Sequence, residues 1–336
     1  MTSKIPETMT AVQISSFGGP DVLSVVSRPI PRPKSGEILV KIIAAGVNFP
    51  DIMQRKGNYP PPKGVTDIPG LELSGIVVAT SSEVTSFSIG DKVCALVSGG
   101  AYAEYCVVPV CQALPVPNNY DMIMAASIPE NFFTVWTNLF DGGKLKKGDT
   151  VLIHGGSGGI GTAAIQVAKA FGATVFTTAR NEQKCKACES LGAIAINYNS
   201  QDFVKVVKEK TAGKGCSLVL DIVGGDYFNR NLDVLATDGR LVQVAVQKGA
   251  KVDLFFPTVM AKRLHITGST LRPRTTVQKG EIADKVYKNL WPLFEKGDIK
   301  PIVFRSFPLS QATQAHSLME SSEHIGKIVL MISEKN

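Results

Sequence analysis

The stretch that most restricts what this chain can fold into is Val151 to Gly161, VLIHGGSGGIG, a short apolar run that turns through glycines into the helical pattern TAAIQVAKAFG. Gly156, Gly158 and Gly161 fit the spacing GxGxxG, and Gly155, Gly158 and Gly161 fit the looser GxxGxxG. Placed between a strand and a helix, such glycines allow a tight turn and the close approach of a phosphate to backbone. The helix that follows adds free N–H groups and a partial positive charge. A dinucleotide pyrophosphate is the expected occupant, held by Gly155, Gly156, Ser157, Gly158, Gly159, Ile160 and Gly161. His154, next to the turn, reads as a structural imidazole or a neighbour of the cofactor rather than as a base.

One such turn implies a parallel sheet, and the surrounding sequence supplies the rest of it. From about Gly148 to Gly268, apolar segments alternate with helical windows: TVLIHG, TVFTTAR, AIAIN, SLVLDIV, RLVQVAV and LHITG. Six strands in βαβ succession predict a doubly wound Rossmann sheet. Before about Pro129 the rhythm differs, with TAVQISSF, EILVKIIAAGV, LSGIVVATS, DKVCALV and AEYCVVP separated by Gly and Pro. These predict irregular, all-β structure. After Gly268, a helical window near 281–294, the segment IVFRSFPLS, a helix near 311–319 and GKIVLMI do not extend the parallel sheet, so they are assigned to the first domain. The expected division is a β-rich domain from 1–129 and 272–336, with a dinucleotide-binding domain from 130–271 inserted into it.

With 336 residues, two domains are the natural expectation. The absence of a long apolar stretch argues against a membrane span, and the opening MTSKIPETMT lacks the pattern of a secretory signal. The six cysteines form no disulfide framework, which points to a reducing, cytoplasmic setting. Cys185 and Cys188 form a CxxC, but within a helical window, and are read as incidental. A net charge of +7 is spread along the chain instead of gathered into a stripe, which argues against a nucleic-acid groove.

The end of the second parallel strand, TVFTTARNEQK, bears on cofactor choice. A carboxylate there accepts the ribose hydroxyls of NAD, whereas Ala179 here is followed by Arg180 and, four residues on, Lys184. Those cations would bind a 2′-phosphate, so NADPH is expected.

The β-rich segment, the inserted Rossmann domain and the runs AAGVNFPDIMQRKGNYPPP and PENFFTVWTNLF together resemble the medium-chain dehydrogenase/reductase superfamily. Within it, the chain is similar to the NADPH-dependent quinone oxidoreductases, over nearly its whole length. The resemblance implies a GroES-like catalytic domain, an active site in the interdomain cleft, and a homodimer or a dimer of dimers. It also exposes departures from the zinc alcohol dehydrogenases: Asn48, Phe49, Pro50 and Asp51 replace a Cys-His-x-Asp run, and Gly70, Leu71 and Glu72 replace Gly-His-Glu. Cys94 and Cys106 make no four-cysteine lobe, and no metal is expected.

Without a Lewis acid, an acceptor carbonyl must be held and polarised by hydrogen bonds. Asn48, at the position of the lost cysteine, and Tyr59, in GNYPPP, are the candidate side chains, with Thr134 of FFTVW placed near the nicotinamide by the resemblance. The same comparison places Tyr198 at the adenine phosphate, and the backbones of Val244, Ala245, Val246, Ser269, Thr270 and Leu271 at the nicotinamide carboxamide. The expected activity is hydride transfer from NADPH to a quinone or similar conjugated carbonyl. Conjugate reduction of an enone, enal or enoyl thioester uses the same groups, and an NADPH-binding structural or RNA-binding role is the alternative of a different class.

Overall fold

The computed structural model describes residues 5–332, and within it the chain divides into two compact units. The first runs to Phe133 and resumes at Leu271–Glu295 and from Pro301 onward; the second comprises Thr134–Thr270 and Lys296–Lys300. Lys300 belongs with the second because its backbone exchanges two hydrogen bonds with the Gln166 side chain, at 2.9 and 3.0 Å.

The first unit begins with a two-stranded ribbon, β1 (Thr8–Ile14) and β2 (Leu23–Pro29). Its main sheet is built on β3 (Glu37–Val47), whose aliphatic run is buried along most of its length. Around it lie β4 (Glu72–Thr80), β5 (Lys92–Leu96), β6 (Tyr105–Pro109) and β7 (Ala113–Pro115). The all-β expectation misses two helices, α1 (Phe49–Arg55) and α2 (Met122–Ala125); a third, α3 (Pro129–Trp136), begins where that stretch ends. Local chemistry accounts for α1. Pro50 sits in its first turn and Asp51 accepts the Asn48 N–H at 2.8 Å, one half of a capping box.

In the second unit, β8 (Thr150–His154), α4 (Gly159–Ala170), β9 (Thr174–Ala179), α5 (Glu182–Ser190), β10 (Ile194–Asn197), α6 (Phe203–Lys210), β11 (Cys216–Asp221), α7 (Tyr227–Val234), β12 (Leu235–Gln243), α8 (Phe256–Lys262) and β13 (His265–Gly268) alternate as predicted. All pairings are parallel, in the order β10-β9-β8-β11-β12-β13. That is the doubly wound arrangement, whose order reverses between β8 and β11. β12 lies earlier in the chain than RLVQVAV suggests. Asp238, at φ +62°, makes an irregularity that lets Leu235 pair with Cys216. At the other end, the Gln243 side chain bonds Ala245 O at 2.6 Å and turns the backbone away.

The segment after Gly268 contributes α9 (Thr276–Lys296), β14 (Val303–Pro308), α10 (Ala312–Ser321) and β15 (Lys327–Met331). β14 and β15 extend the first unit's sheet, β15 pairing antiparallel with β3. The C-terminal strands therefore complete the β-rich domain. Cys185 and Cys188 lie in α5 as free thiols, and burial pushes the Cys188 thiol up to about 12, away from redox reactivity.

Candidate functional site

In the second unit the glycine run forms the turn from β8 into α4. Gly155 has φ +73°, which favours glycine, and its carbonyl accepts the Gly158 N–H at 3.1 Å. A Cβ on Gly156 would lie 2.0 Å from Thr177 Oγ1, and one on Gly161 would lie 2.3 Å from Gly155 O. Those two glycines are required by packing. Gly158 is different: a Cβ there would have only Gly155 O nearby, at 3.6 Å. It faces open space at the head of α4, whose first-turn amides have no carbonyl four residues back. This cradle fits a pyrophosphate.

A chain of buried side chains supports the turn. His154 contacts Thr178 Oγ1 through Nδ1 at 2.9 Å and Asn231 Oδ1 through Nε2 at 2.7 Å. Asn231 Nδ2 in turn donates to Asp221 Oδ2 at 3.0 Å. Burial holds the imidazole below its usual range, and so neutral. With both nitrogens engaged and its ring against Phe203 and Tyr227, His154 faces the packing between sheet and helices.

The remaining cofactor candidates follow the C-terminal ends of neighbouring strands. Arg180 is exposed beyond β9, and Tyr198, beyond β10, donates its N–H to Ala179 O at 3.1 Å. Lys184 is mostly buried in the first turn of α5, its amide donating to the Asn181 cap at 2.9 Å. Val244, Ala245 and Val246 follow β12, while Ser269 and Thr270 follow β13, its neighbour. Ser269 Oγ donates to Asn138 Oδ1 at 2.7 Å, and Asn138 Nδ2 donates to Thr134 O at 2.8 Å. Asn138 thereby connects Thr134 to the end of β13 through a π-helical turn, Thr137–Gly142, that the sequence did not suggest. The Thr134 hydroxyl makes no hydrogen bond among the described residues.

In the first unit, Asn48 lies at the foot of α1 and is 6% exposed. Its side chain does not cap that helix. Instead Oδ1 accepts from Lys327 Nζ at 2.7 Å, and Nδ2 donates to Glu72 Oε1 at 3.0 Å and, weakly, to Gly46 O at 3.4 Å. Lys327 and Glu72 form a buried ion pair at 2.5 Å. Glu72 Oε2 accepts the Glu130 N–H at 2.8 Å. Asp51, fully buried, accepts N–H groups of Asn48 and Gly70, yet burial still raises its carboxyl to about 6. Leu71 is packed in the interior.

Tyr59 is half-buried, with its ring 5.4 Å from the Arg272 guanidinium. Burial, reinforced by Glu130, raises its phenol, which therefore keeps its proton. Arg272 is held by Ser98 O at 2.7 Å, Tyr59 O at 3.2 Å and Gln54 Oε1 at 2.8 Å. Lys279 donates to Ser98 Oγ at 2.6 Å and Arg272 O at 2.8 Å. Its ammonium is lowered to about 8, chiefly by burial. Leu271 is half-buried beside Arg272. A hollow of about 690 Å³ elsewhere in this unit, walled by Ile43, Ile76, Tyr120 and Met122 among others, includes none of these groups.

Asn48 and Tyr59 are thus legible in the sequence, whereas Glu130, Lys327, Arg272 and Lys279 are not, and Glu72 stands out there only as part of a motif. A lysine opening the apolar run KIVLM was the available signal, since such a cation must find a buried partner. Among the described residues, no three His, Cys, Asp or Glu side chains are grouped as metal ligands.

Residues 34–118 match the alcohol dehydrogenase GroES-like domain family, and residues 159–284 match the zinc-binding dehydrogenase family. The quinone oxidoreductase of Rattus norvegicus is 30% identical over 328 residues, covering 96% of this chain and 98% of that protein. Among solved structures, the Escherichia coli quinone oxidoreductase complexed with NADPH superposes with a TM-score of 0.87 at 32% identity, covering 96% of this chain and all of that one. The JamJ enoyl reductase, in its apo form, gives 0.86 at 29% identity, covering 97% of this chain and 99% of its own. Sequence, fold and the glycine cradle agree: the chain is an oxidoreductase with a nicotinamide cofactor, and it belongs to the quinone oxidoreductase family of the medium-chain dehydrogenase/reductase superfamily.

Proposed function

We propose that this protein reduces a quinone or similar conjugated carbonyl, taking hydride from NADPH without zinc. The observation that carries this reading is the pairing of an open glycine cradle at Gly158 with an exposed cation, Arg180, at the end of β9. Bound there, the cofactor supplies the hydride. The glycine turn seats its pyrophosphate, Arg180 and Lys184 favour the 2′-phosphate, and Tyr198 adjoins them. Val244 to Val246 and Ser269 to Leu271 line the carboxamide, and the unbonded Thr134 hydroxyl contacts the nicotinamide or its ribose. His154 acts beneath the turn, as a support.

On the acceptor side, Asn48 and Leu71 offer neither thiolate nor imidazole, so the carbonyl is polarised by hydrogen bonds. Tyr59 donates from a phenol that keeps its proton. Asn48 is fixed by Lys327 and Glu72, and contacts the acceptor through its second, weakly held N–H. The similarity to an enoyl reductase supports a second reading, conjugate reduction, in which hydride goes to the β carbon.

Rates of NADPH oxidation with ortho-quinones, para-quinones and alkenals decide between them. Faster turnover of quinones is expected; preference for alkenals over every quinone overturns it. Calorimetry tests the cofactor. NADPH should bind at least about 10-fold more tightly than NADH, and Arg180→Glu should abolish that margin, a change of about 1.4 kcal/mol. Equal affinities in the wild type would refute the preference. A homodimer is also proposed, through the free edge of β13. All four of its residues are exposed, and Ile266, Phe256 and Met260 stand exposed on it and on neighbouring α8. Sedimentation should give a dimer that Ile266→Glu dissociates; a wild-type monomer excludes it.

A further inference from the structure

Glu130 occupies the first turn of α3 and is half-buried, and its carboxyl forms no ion pair or hydrogen bond among the described residues. Its backbone is fixed, since the N–H donates to Glu72 Oε2. The charged and titratable groups that act on it electrostatically are Glu72 on β4, Asp51 on α1, Lys327 on β15, Lys279 on α9, and Tyr59 and Arg272 from the adjoining loops. Their commitments matter more than their number. Lys327 is bonded to Glu72 and Asn48, while Arg272 and Lys279 are bonded to neutral oxygens. Glu130 is therefore a second carboxyl beside a buried carboxylate that already holds Lys327. A second negative charge is unfavourable there. Burial first, and then Glu72, push the Glu130 carboxyl up to about 8.

We infer that Glu130 is a proton donor of this reductase, its unbonded carboxyl contacting the acceptor and protonating it as it is reduced. The role rests on the reductase reading above. The acceptor takes up hydride, two electrons and one hydrogen, and becomes an anion. The Glu130 O–H bond then breaks, its electron pair stays on the carboxylate, and the proton goes to the acceptor oxygen or, in an enolate, to the α carbon. Water returns a proton to Glu130 through its exposed side before the next turnover. Neutral Glu130 and charged Lys279 leave the local charge favourable to such an anion.

Two measurements test the role. In apoprotein labelled with ¹³C at the glutamate carboxyl carbons, one NMR signal should titrate near pH 8 and be missing in Glu130→Gln. A Glu130 midpoint below about 6 overturns the inference. In steady-state reduction of a quinone, Glu130→Gln should keep the NADPH affinity and thermal stability of a folded protein. Its kcat at pH 7 should fall about 100-fold with little change in KM. The fall of wild-type kcat as pH rises through 8 should vanish in Glu130→Gln and return in Glu130→Asp. A folded Glu130→Gln with wild-type kcat and an unchanged alkaline limb refutes the inference alone. Wild-type protein that binds NADPH but reduces neither quinones nor enones removes the reductase reading, and this role with it.

Discussion

The two units present their chemistry in opposite ways. In the second, the cofactor cradle is made of backbone, and its side-chain support runs from Thr178 through the neutral His154 imidazole and Asn231 to the buried Asp221 carboxyl, which Asn231 and backbone N–H groups hold by hydrogen bonds. In the first, the candidate acceptor face is made of side chains, and its support is a set of buried charges centred on Glu72 and Lys327. A backbone cradle needs only the right turn and little else. A charged face must neutralise itself within the protein before it can act on a substrate, and it is correspondingly easier to break.

Lys327→Met should show this most strongly. It strands Glu72, which is fully buried, and should cost about 3 to 5 kcal/mol in denaturant unfolding. The double variant Lys327→Met with Glu72→Gln should recover at least half of that. A loss below about 1 kcal/mol would mean that the pair is not desolvated, and the contrast between the units would collapse.

The cradle is probed by two alanines. Gly156→Ala forces a Cβ onto Thr177 and should destabilise by about 1 to 3 kcal/mol. Gly158→Ala has room and a permitted backbone, at φ −79°, so its stability should stay within about 1 kcal/mol of wild type. Its dinucleotide affinity by calorimetry should nevertheless drop about 10-fold, because the methyl fills the space left for phosphate. Wild-type affinity in Gly158→Ala would move the pyrophosphate elsewhere.

The first unit should also respond to acid. His316 is buried with Nε2 3.0 Å from Tyr102 Oη and Nδ1 3.3 Å from Arg55, and burial lowers it to about 3. The unfolded imidazole takes up a proton below about 6.5, whereas the folded one stays neutral until about 3. Its contribution is therefore complete above pH 6.5 and is lost as pH falls from 6.5 toward 3. Asp51, raised to about 6, has the opposite slope between about 6 and 4, so the difference between proteins is the clean measure. The Tm advantage of wild type over His316→Gln should shrink steadily from pH 7 to pH 4. A constant difference would show that the imidazole is already charged.

The smallest effect is expected at the surface. Arg263 and Asp238 pair at 2.7 Å, but with side chains 65% and 61% exposed. Arg263→Ala should leave the denaturant midpoint at the wild-type value within error, at low and at high salt. A lowered midpoint would mean that exposed charges matter here as much as buried ones.

Much of the second unit was readable in advance because its determinants are local. Apolar strands, helical windows and glycine spacing repeat at fixed intervals, and parallel order follows from βαβ succession. Even so, the end of β12 was misplaced, since Asp238 and the Gln243 side chain act through local geometry that propensity does not reveal. In the first unit α1 was missed although Asn48 and Asp51 carry a cap signal, because the surrounding apolar segments read as strands. The use of Asn48 was illegible for another reason. Its partners lie 24 and 279 residues away, and no local pattern announces either.

Taken alone, the amino-acid sequence determined the two-unit plan, the parallel sheet and the glycine turn, all set by short-range periodicity and by residues that lack a Cβ. The tertiary structure decided which side chains face one another. It gathered Glu72, Lys327, Glu130, Asp51 and Lys279 from five separate elements around Asn48 and Tyr59. Protonation states arise only from such assembly, because burial and neighbouring charge are properties of the folded chain rather than of any residue in it.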